Sequence, residues 1–178
     1  GGKSICYQVP ALMKEGICLV ISPLIALMHD QVRHLHSKGI KSVFITGKMH
    51  YSEIETILTN CIYGGVKFLY LSPERLQNDL LRSRIKEMNI NLIAIDEAHC
   101  ISEWGHNFRP AYRNIHKIRH ILPETPVLAL TATATSTVIK DIQRNLLFKK
   151  ENLIRSSFKR DNMSYVVDNR EDKKKTLI

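Results

Sequence analysis

Residues 92–100 read Leu92-Ile93-Ala94-Ile95-Asp96-Glu97-Ala98-His99-Cys100. An apolar run this short, ending abruptly in polar residues, reads as a buried strand. Two carboxylates at its end have a plain explanation, because the helix dipole favours acids at exposed helix N-termini. The same pattern recurs along the chain, however, and the recurrence decides the fold. Ile17–Ile21 is followed by Ser22-Pro23, Val43–Ile45 by Thr46-Gly47, Phe68–Leu71 by Ser72-Pro73, and Val127–Leu130 by Thr131.

Amphipathic helical patterns lie between these runs. Leu24, Leu27, Met28, Val32 and Leu35 share one face, closed by Gly39. Ser52-x-x-Glu55 reads as a capping box, with Ile54, Ile57, Leu58 and Cys61 inward. Leu76, Leu80, Leu81 and Ile85 form another stripe, and Val138, Ile139, Ile142 and Leu146 a further one, with Ser136 as its N-cap. Strands alternating with helices predict an α/β fold, a parallel sheet flanked by helices. Such sheets bind ligands at the carboxyl ends of their strands. The polar clusters fall there: Ser22-Pro23, Ser72-Pro73-Glu74-Arg75, Asp96-Glu97-Ala98-His99 and Thr131-Ala132-Thr133.

Composition sets the bounds. A chain of 178 residues with 44% apolar content is long enough for one domain with a core. The formal charge of +9, from 26 Lys and Arg against 17 Asp and Glu, favours a polyanionic partner. The four cysteines, Cys6, Cys18, Cys61 and Cys100, form no C-x-x-C pair, so no zinc ribbon or redox motif is suggested. His34 and His36 sit on different sides of a helix, which argues against a metal site. No apolar run approaches the ~18 residues that span a bilayer. No membrane association is expected, and the N-terminus lacks a signal pattern, so the protein is expected to be intracellular.

Gly2-Lys3-Ser4 matches the last three residues of the phosphate loop G-x-x-x-x-G-K-[ST]. In such sites the lysine sits on the β/γ-phosphates and the Ser or Thr helps hold Mg²⁺. An acid at the end of a neighbouring strand holds the same ion, and a second acid polarises the attacking water. Lys3, Ser4, Asp96 and Glu97 occur in the order those roles require, with Gly1 and Gly2 completing the visible part of the loop.

With these residues in view, the chain resembles the first motor lobe of superfamily 2 helicases, and among them the RecQ-type DNA helicases. Gly2-Lys3-Ser4 and the following residues through Ala11 are similar to motif I. Ser22-Pro23-Leu24-Ile25-Ala26-Leu27-Met28 is similar to motif Ia, Asp96-Glu97-Ala98-His99-Cys100 to motif II, and Thr131-Ala132-Thr133-Ala134-Thr135 to motif III. Ile101 to Pro110 resembles the aromatic-rich loop that distinguishes RecQ-type enzymes, with Glu103 where the family usually has glutamine and Asn107 where it has aspartate. The resemblance implies a RecA-like P-loop NTPase lobe truncated at both ends. Residues 1–157 are expected to form the ATP-binding lobe, and residues 158–178, beginning Phe158-Lys159-Arg160-Asp161-Asn162, the link into a second lobe with a strand at Tyr165-Val166-Val167.

The resemblance further implies an ATP- and Mg²⁺-dependent DNA helicase. It would move in the three-prime-to-five-prime direction on single-stranded and duplex DNA, in recombination, repair and replication. The location would be the cytoplasm (nucleoid) if bacterial, or the nucleus if eukaryotic. Arginine fingers would come from the second lobe, so the chain alone is expected to be close to inactive. Trp104, His106, Phe108 and Arg109 offer planar groups on which unpaired bases can stack, at ~1–3 kcal/mol per base. His99, Thr131 and Thr133 would relay between nucleotide and nucleic acid, and Ser22, Pro23 and Arg75 would contact DNA. Plainer readings stand beside these: Trp104 and Phe108 as local core, the threonines as β-branched strand-end residues, and Arg75 as solvated at a helix N-terminus. Two alternative functions also stay open. One is an RNA helicase of the DEAD/DEAH type, against which the aromatic loop argues. The other is a non-catalytic nucleic-acid-binding module, against which intact Lys3, Asp96 and Glu97 argue.

Overall fold

The structure is a computed structural model that describes residues 2–47, 49–105, 107–156 and 163. Five strands form one parallel sheet: β1 (Ile17–Ile21), β2 (Ser42–Ile45), β3 (Phe68–Leu71), β4 (Ile90–Ile95) and β5 (Val127–Ala129), in the spatial order β2-β3-β1-β4-β5. The expected α/β architecture is therefore present. The expected boundaries hold for β1 and β3. β2 and β4 start earlier, at Ser42 and Ile90, and β5 ends one residue sooner, at Ala129.

β1 and β3 are buried along their whole length. Parallel strands covered on both faces need no polar alternation, which is why they read as continuous apolar runs. Alternate residues feed two separate cores. Leu19, Ile21, Leu69, Leu71, Ile93 and Ile95 face one side, with α3 (Tyr51–Tyr63), α4 (Asp79–Glu87), α5 (Ile115–Ile121) and α6 (Ser136–Asn145) packed over them. Cys18, Val20, Phe68, Tyr70, Leu92 and Ala94 face the other, under α1 (Lys3–Leu12) and α2 (Ile25–Ser37). Burial pushes the Cys18 and Cys61 thiols up to about 12, as expected for small buried hydrophobes.

Gly16 shows where backbone geometry dictates the residue. Its φ is +92°, and a Cβ there would lie 2.4 Å from the Asn89 carbonyl oxygen, the same oxygen that accepts the Ile17 N–H. Only glycine fits that entry into the central strand.

Several local expectations are corrected. The capping box belongs to His50 and Glu53, not Ser52 and Glu55: Glu53 Oε2 accepts the His50 N–H at 2.9 Å, and Ser52 lies inside α3. The stripe containing Leu76 is not one helix. Pro73–Gln77 forms a 3₁₀ turn, and α4 starts afresh where Asn78 Oδ1 accepts the Leu81 N–H at 3.0 Å. Leu24 precedes α2 and is exposed, so it does not share the face of Met28, Val32 and Leu35. The N-cap of α6 is Thr135 rather than Ser136, its hydroxyl accepting the Val138 N–H. His36 bonds the Ser42 carbonyl at 2.7 Å. The expected link and strand at residues 158–178 lie outside the described residues. Among the described residues no helix is long and apolar enough to cross a membrane.

The capping assignment has a direct test. Thr135→Ala is expected to destabilise the protein by about 1 kcal/mol and Ser136→Ala by much less. Urea denaturation midpoints of the two variants check it, and equal effects would contradict the observed cap.

Candidate functional site

The site is assembled where the ladder runs past the ends of the strands. The Asp96 N–H donates to the Ile21 carbonyl at 2.9 Å, which sets Asp96 beside Ser22. Asp96 is buried, and both its carboxylate oxygens are held. Oδ1 accepts the Glu97 N–H at 3.0 Å, and Oδ2 accepts the Ser22 hydroxyl at 3.4 Å. Glu97 has φ 47° and ψ 45°, the left-handed region. A non-glycine residue pays roughly 1–2 kcal/mol there.

Lys3 arrives from the first turn of α1, directly after Gly2, whose φ is +97°. Its Nζ pairs with Glu97 Oε1 and lies 3.7 Å from Asp96 Oδ1. Residues 94 positions apart in sequence thus meet. The lysine side chain is 37% exposed, so solvent screening keeps this pairing within the ~0–1 kcal/mol of surface ion pairs. Stability does not account for the cluster. Ser4 follows in the same turn, half-buried. Gly1 lies outside the described residues.

His99 is buried. Its Nδ1 is 2.9 Å from the Thr131 hydroxyl and 3.3 Å from Glu97 Oε2. The Thr131 hydroxyl also accepts the Thr133 N–H at 3.2 Å. The acids at the end of β4 are thereby joined to the polar residues after β5.

The loop that follows is exposed at its tip. Trp104 is 76% exposed. Phe108 is half-buried under the Arg113 guanidinium, 5.2 Å from the ring centre, and Arg113 also pairs with Glu103. Arg109 donates to the Pro23 carbonyl at 3.3 Å, linking this loop to the one after β1. His106 lies outside the described residues. Arg75 stands apart from the cluster, donating from Nε to the Thr46 carbonyl at 2.7 Å. Its guanidinium serves the loop after β2.

Sequence reasoning missed Tyr112. It is buried, and its hydroxyl donates to the Asp96 main-chain carbonyl at 2.9 Å. Burial raises its pKa, so the phenol remains a donor. The signal available was a tyrosine near Pro110 with no apolar stripe to join, but its partner lies 16 positions away. Ser102 and Asp141, bonded at 2.7 Å, were missed for the same reason.

Known proteins resemble this chain in sequence and in fold. The DEAD/DEAH box helicase family model matches residues 1–142. The chain is 47% identical over 174 residues to the ATP-dependent DNA helicase RecQ of Bacillus subtilis (strain 168), covering 97% of this chain and 29% of that protein. It is 41% identical to the ATP-dependent DNA helicase RecQ of Pasteurella multocida (strain Pm70), over 93% of this chain and 26% of that one. It is 42% identical to the ATP-dependent helicase wrn-1 of Caenorhabditis elegans, over 96% of this chain and 16% of that one. The chain thus spans less than a third of the length of these relatives. Among solved structures, the Pyrococcus furiosus Hef helicase domain aligns with a TM-score of 0.60 at 22% identity, covering 83% of this chain and 31% of that one. The DUF1998 helicase MrfA bound to DNA aligns with a TM-score of 0.62 at 19% identity, covering 82% and 21%. At these identities the structural likeness establishes the fold alone.

Tyr112→Phe removes one hydroxyl and leaves the buried Asp96 carbonyl without that donor. A loss of about 1–3 kcal/mol in unfolding free energy is expected, measured by urea denaturation. A loss below the error of that measurement would show that the bond does not hold the acidic turn.

Proposed function

The chain belongs to the DEAD/DEAH box helicase family, and from that premise we propose that it is the ATP-binding lobe of a RecQ-type DNA helicase. The observation that carries the reading is the convergence of Lys3 on Asp96 and Glu97. The pairing of that partly exposed ammonium with the acids adds little to stability, so the fold alone does not call for it.

The residues fit the chemistry of a magnesium nucleotide. Mg²⁺ is usually held by one or two carboxylates together with substrate phosphates, rather than by a cage of protein ligands. Asp96 suits this, being buried and oriented by Ser22 and the Glu97 N–H, and Ser4 would supply a hydroxyl. When bound, the ion neutralises charge developing on the phosphate oxygens. Lys3 exchanges Glu97 for the phosphate oxygens of ATP, and Gly2 lets the main chain approach them. Glu97, released from the lysine, orients the attacking water and accepts its proton.

DNA engages the same edge of the sheet. Trp104 stacks on an unpaired base, at ~1–3 kcal/mol. Arg109 and the Ser22-Pro23 turn lie along the strand path, and the excess positive charge of +9 favours a polyanion. The His99–Thr131–Thr133 chain connects that path to Glu97. The relatives named as DNA helicases, together with the tryptophan-bearing loop, favour DNA over RNA. Movement in the three-prime-to-five-prime direction, arginine fingers from a second lobe, and work in recombination, repair and replication complete the proposal. The protein would act where DNA lies, in the cytoplasm of a bacterium or the nucleus of a eukaryote.

The test is ATP turnover by the protein that carries this chain. Glu97→Gln is expected to lower kcat by about 10²–10³-fold, the range for losing one preorganised polar group. Single-stranded DNA should stimulate the unaltered protein more than RNA of the same length does. Unchanged hydrolysis by Glu97→Gln would leave a non-catalytic binding module, and preferential stimulation by RNA would reassign the substrate.

Cys6 supplies an independent probe of nucleotide binding. It is exposed one turn into α1, while Cys18, Cys61 and Cys100 are buried. Alkylation by iodoacetamide at pH 8 should therefore occur first at Cys6, and ATP with Mg²⁺ should slow it several-fold. Peptide mass mapping reads the result, and equal rates with and without nucleotide would count against binding at this loop.

A further inference from the structure

We propose that Ser102 and Asp141 form a latch that positions the Trp104 loop and ties it to α6, so that base stacking at the loop is passed to the motif III segment. The inference rests on the helicase reading above and adds to it two positioning residues, neither of which touches nucleotide or DNA.

Ser102 is 1% exposed, and its hydroxyl is used twice. It donates to Asp141 Oδ2 at 2.7 Å and accepts the Trp104 N–H at 3.2 Å. One buried oxygen thus fixes the main chain of the tryptophan and anchors it to a helix 39 positions away. The loop is tied to the acidic turn as well. The Ser102 N–H donates to the His99 carbonyl at 3.3 Å, and the Gly105 N–H donates to the Ser102 carbonyl at 3.0 Å. A Cβ at Gly105 would lie 2.5 Å from the His99 carbonyl oxygen, so the loop backbone rests directly on the residue bonded to Thr131. Trp104 itself remains 76% exposed. Its main chain is held while its ring stays available.

Asp141 lies in α6, whose N-cap is Thr135, the last residue of Thr131-Ala132-Thr133-Ala134-Thr135. A shift of the Trp104 main chain therefore reaches Thr131 by two routes. One runs through Ser102, Asp141 and α6. The other runs through Gly105 and His99. Arg113, Arg144, Asn145 and Glu103 border the same polar depression of about 300 Å³ beside Trp104. Loss of the Ser102 bond would leave Asp141 facing those arginines, and the loop would lose its tie to the helix.

Trp104 is the only tryptophan of this chain, so, with any tryptophan elsewhere in the protein replaced by phenylalanine, its fluorescence reports the loop directly. Asp141→Ala is expected to raise its acrylamide quenching or lower its anisotropy, whereas Asp141→Asn keeps an oxygen acceptor and should restore the native signal. In the protein that carries this chain, Asp141→Ala should reduce stimulation of ATP turnover by single-stranded DNA roughly 10-fold or more, since small misplacements of positioned groups have effects of that order. Turnover without DNA should stay close to its original value, while loss of the buried bond lowers the thermal midpoint by a few degrees. Ser102→Ala also removes the acceptor of the Trp104 N–H, so it should lose at least as much as Asp141→Ala, and the double variant should lose no more than Ser102→Ala alone. Native fluorescence and full DNA stimulation in Asp141→Ala would overturn the latch while leaving the helicase reading intact. No stimulation in the unaltered protein would overturn that reading and the coupling with it, and the fluorescence would still decide whether the bond positions Trp104.

Discussion

The parallel ladder between β1 and β4 is the constraint from which everything else follows. Its register sets Ile21 opposite Ile95, and the bond from the Asp96 N–H to the Ile21 carbonyl extends it one residue beyond the strand. The same extension occurs at β3, where the Ser22 N–H reaches the Leu71 carbonyl, and at β5, where the Leu130 N–H reaches the Ile95 carbonyl. Because every pair is parallel, all the strand ends lie along one edge. An antiparallel pairing of β1 with β4 would send Ser22 and Asp96 to opposite ends of the sheet. The position of each polar residue is thus inherited from main-chain register.

The two faces of the sheet then divide the work. α1 packs on β1 and β4 from one side and delivers Lys3 to the acidic end of β4. α6 packs from the other side, beneath the 3₁₀ turn formed by Ala98–Ile101, and receives the loop through Asp141. The acids at the end of β4 lie between these contributions. A change at α1 and a change at the tryptophan loop therefore meet at the same short stretch, Asp96 to His99, with no need for α1 and α6 to touch.

The central strands and the acidic site were legible in the sequence because each depends on a local pattern. Ile17–Ile21 and Phe68–Leu71 are buried on both faces, and a run of apolar residues is the direct signature of that. Lys3, Asp96 and Glu97 were legible because their residue types and order match a known chemical need, and the structure does bring them together. The caps were read less well. Ser52 and Ser136 are good capping residues, yet each sits just inside its helix, while His50 and Thr135 occupy the boundary. Capping propensity is weak against the tertiary packing that fixes where a helix begins. Tyr112, Ser102 and Asp141 were invisible because each acts through one hydrogen bond to a distant partner. A single polar contact leaves no periodicity for a sequence to display.

The site combines fixed and exchangeable parts, and burial separates them. Asp96 is held at its carboxylate by Ser22 and the Glu97 N–H, and at its main chain by Tyr112. Moving it would break several bonds in a largely buried region. Lys3 and Glu97 are partly exposed, and their mutual attraction is screened, so either can change partner at small cost. The left-handed backbone of Glu97 supports this division. Its strain is sustained by the bond from its own N–H to Asp96 Oδ1, which points the side chain at Lys3 on one side and His99 on the other. A glutamate in an ordinary helical start would follow the chain onward instead. The turn therefore keeps a movable carboxylate beside an immovable one.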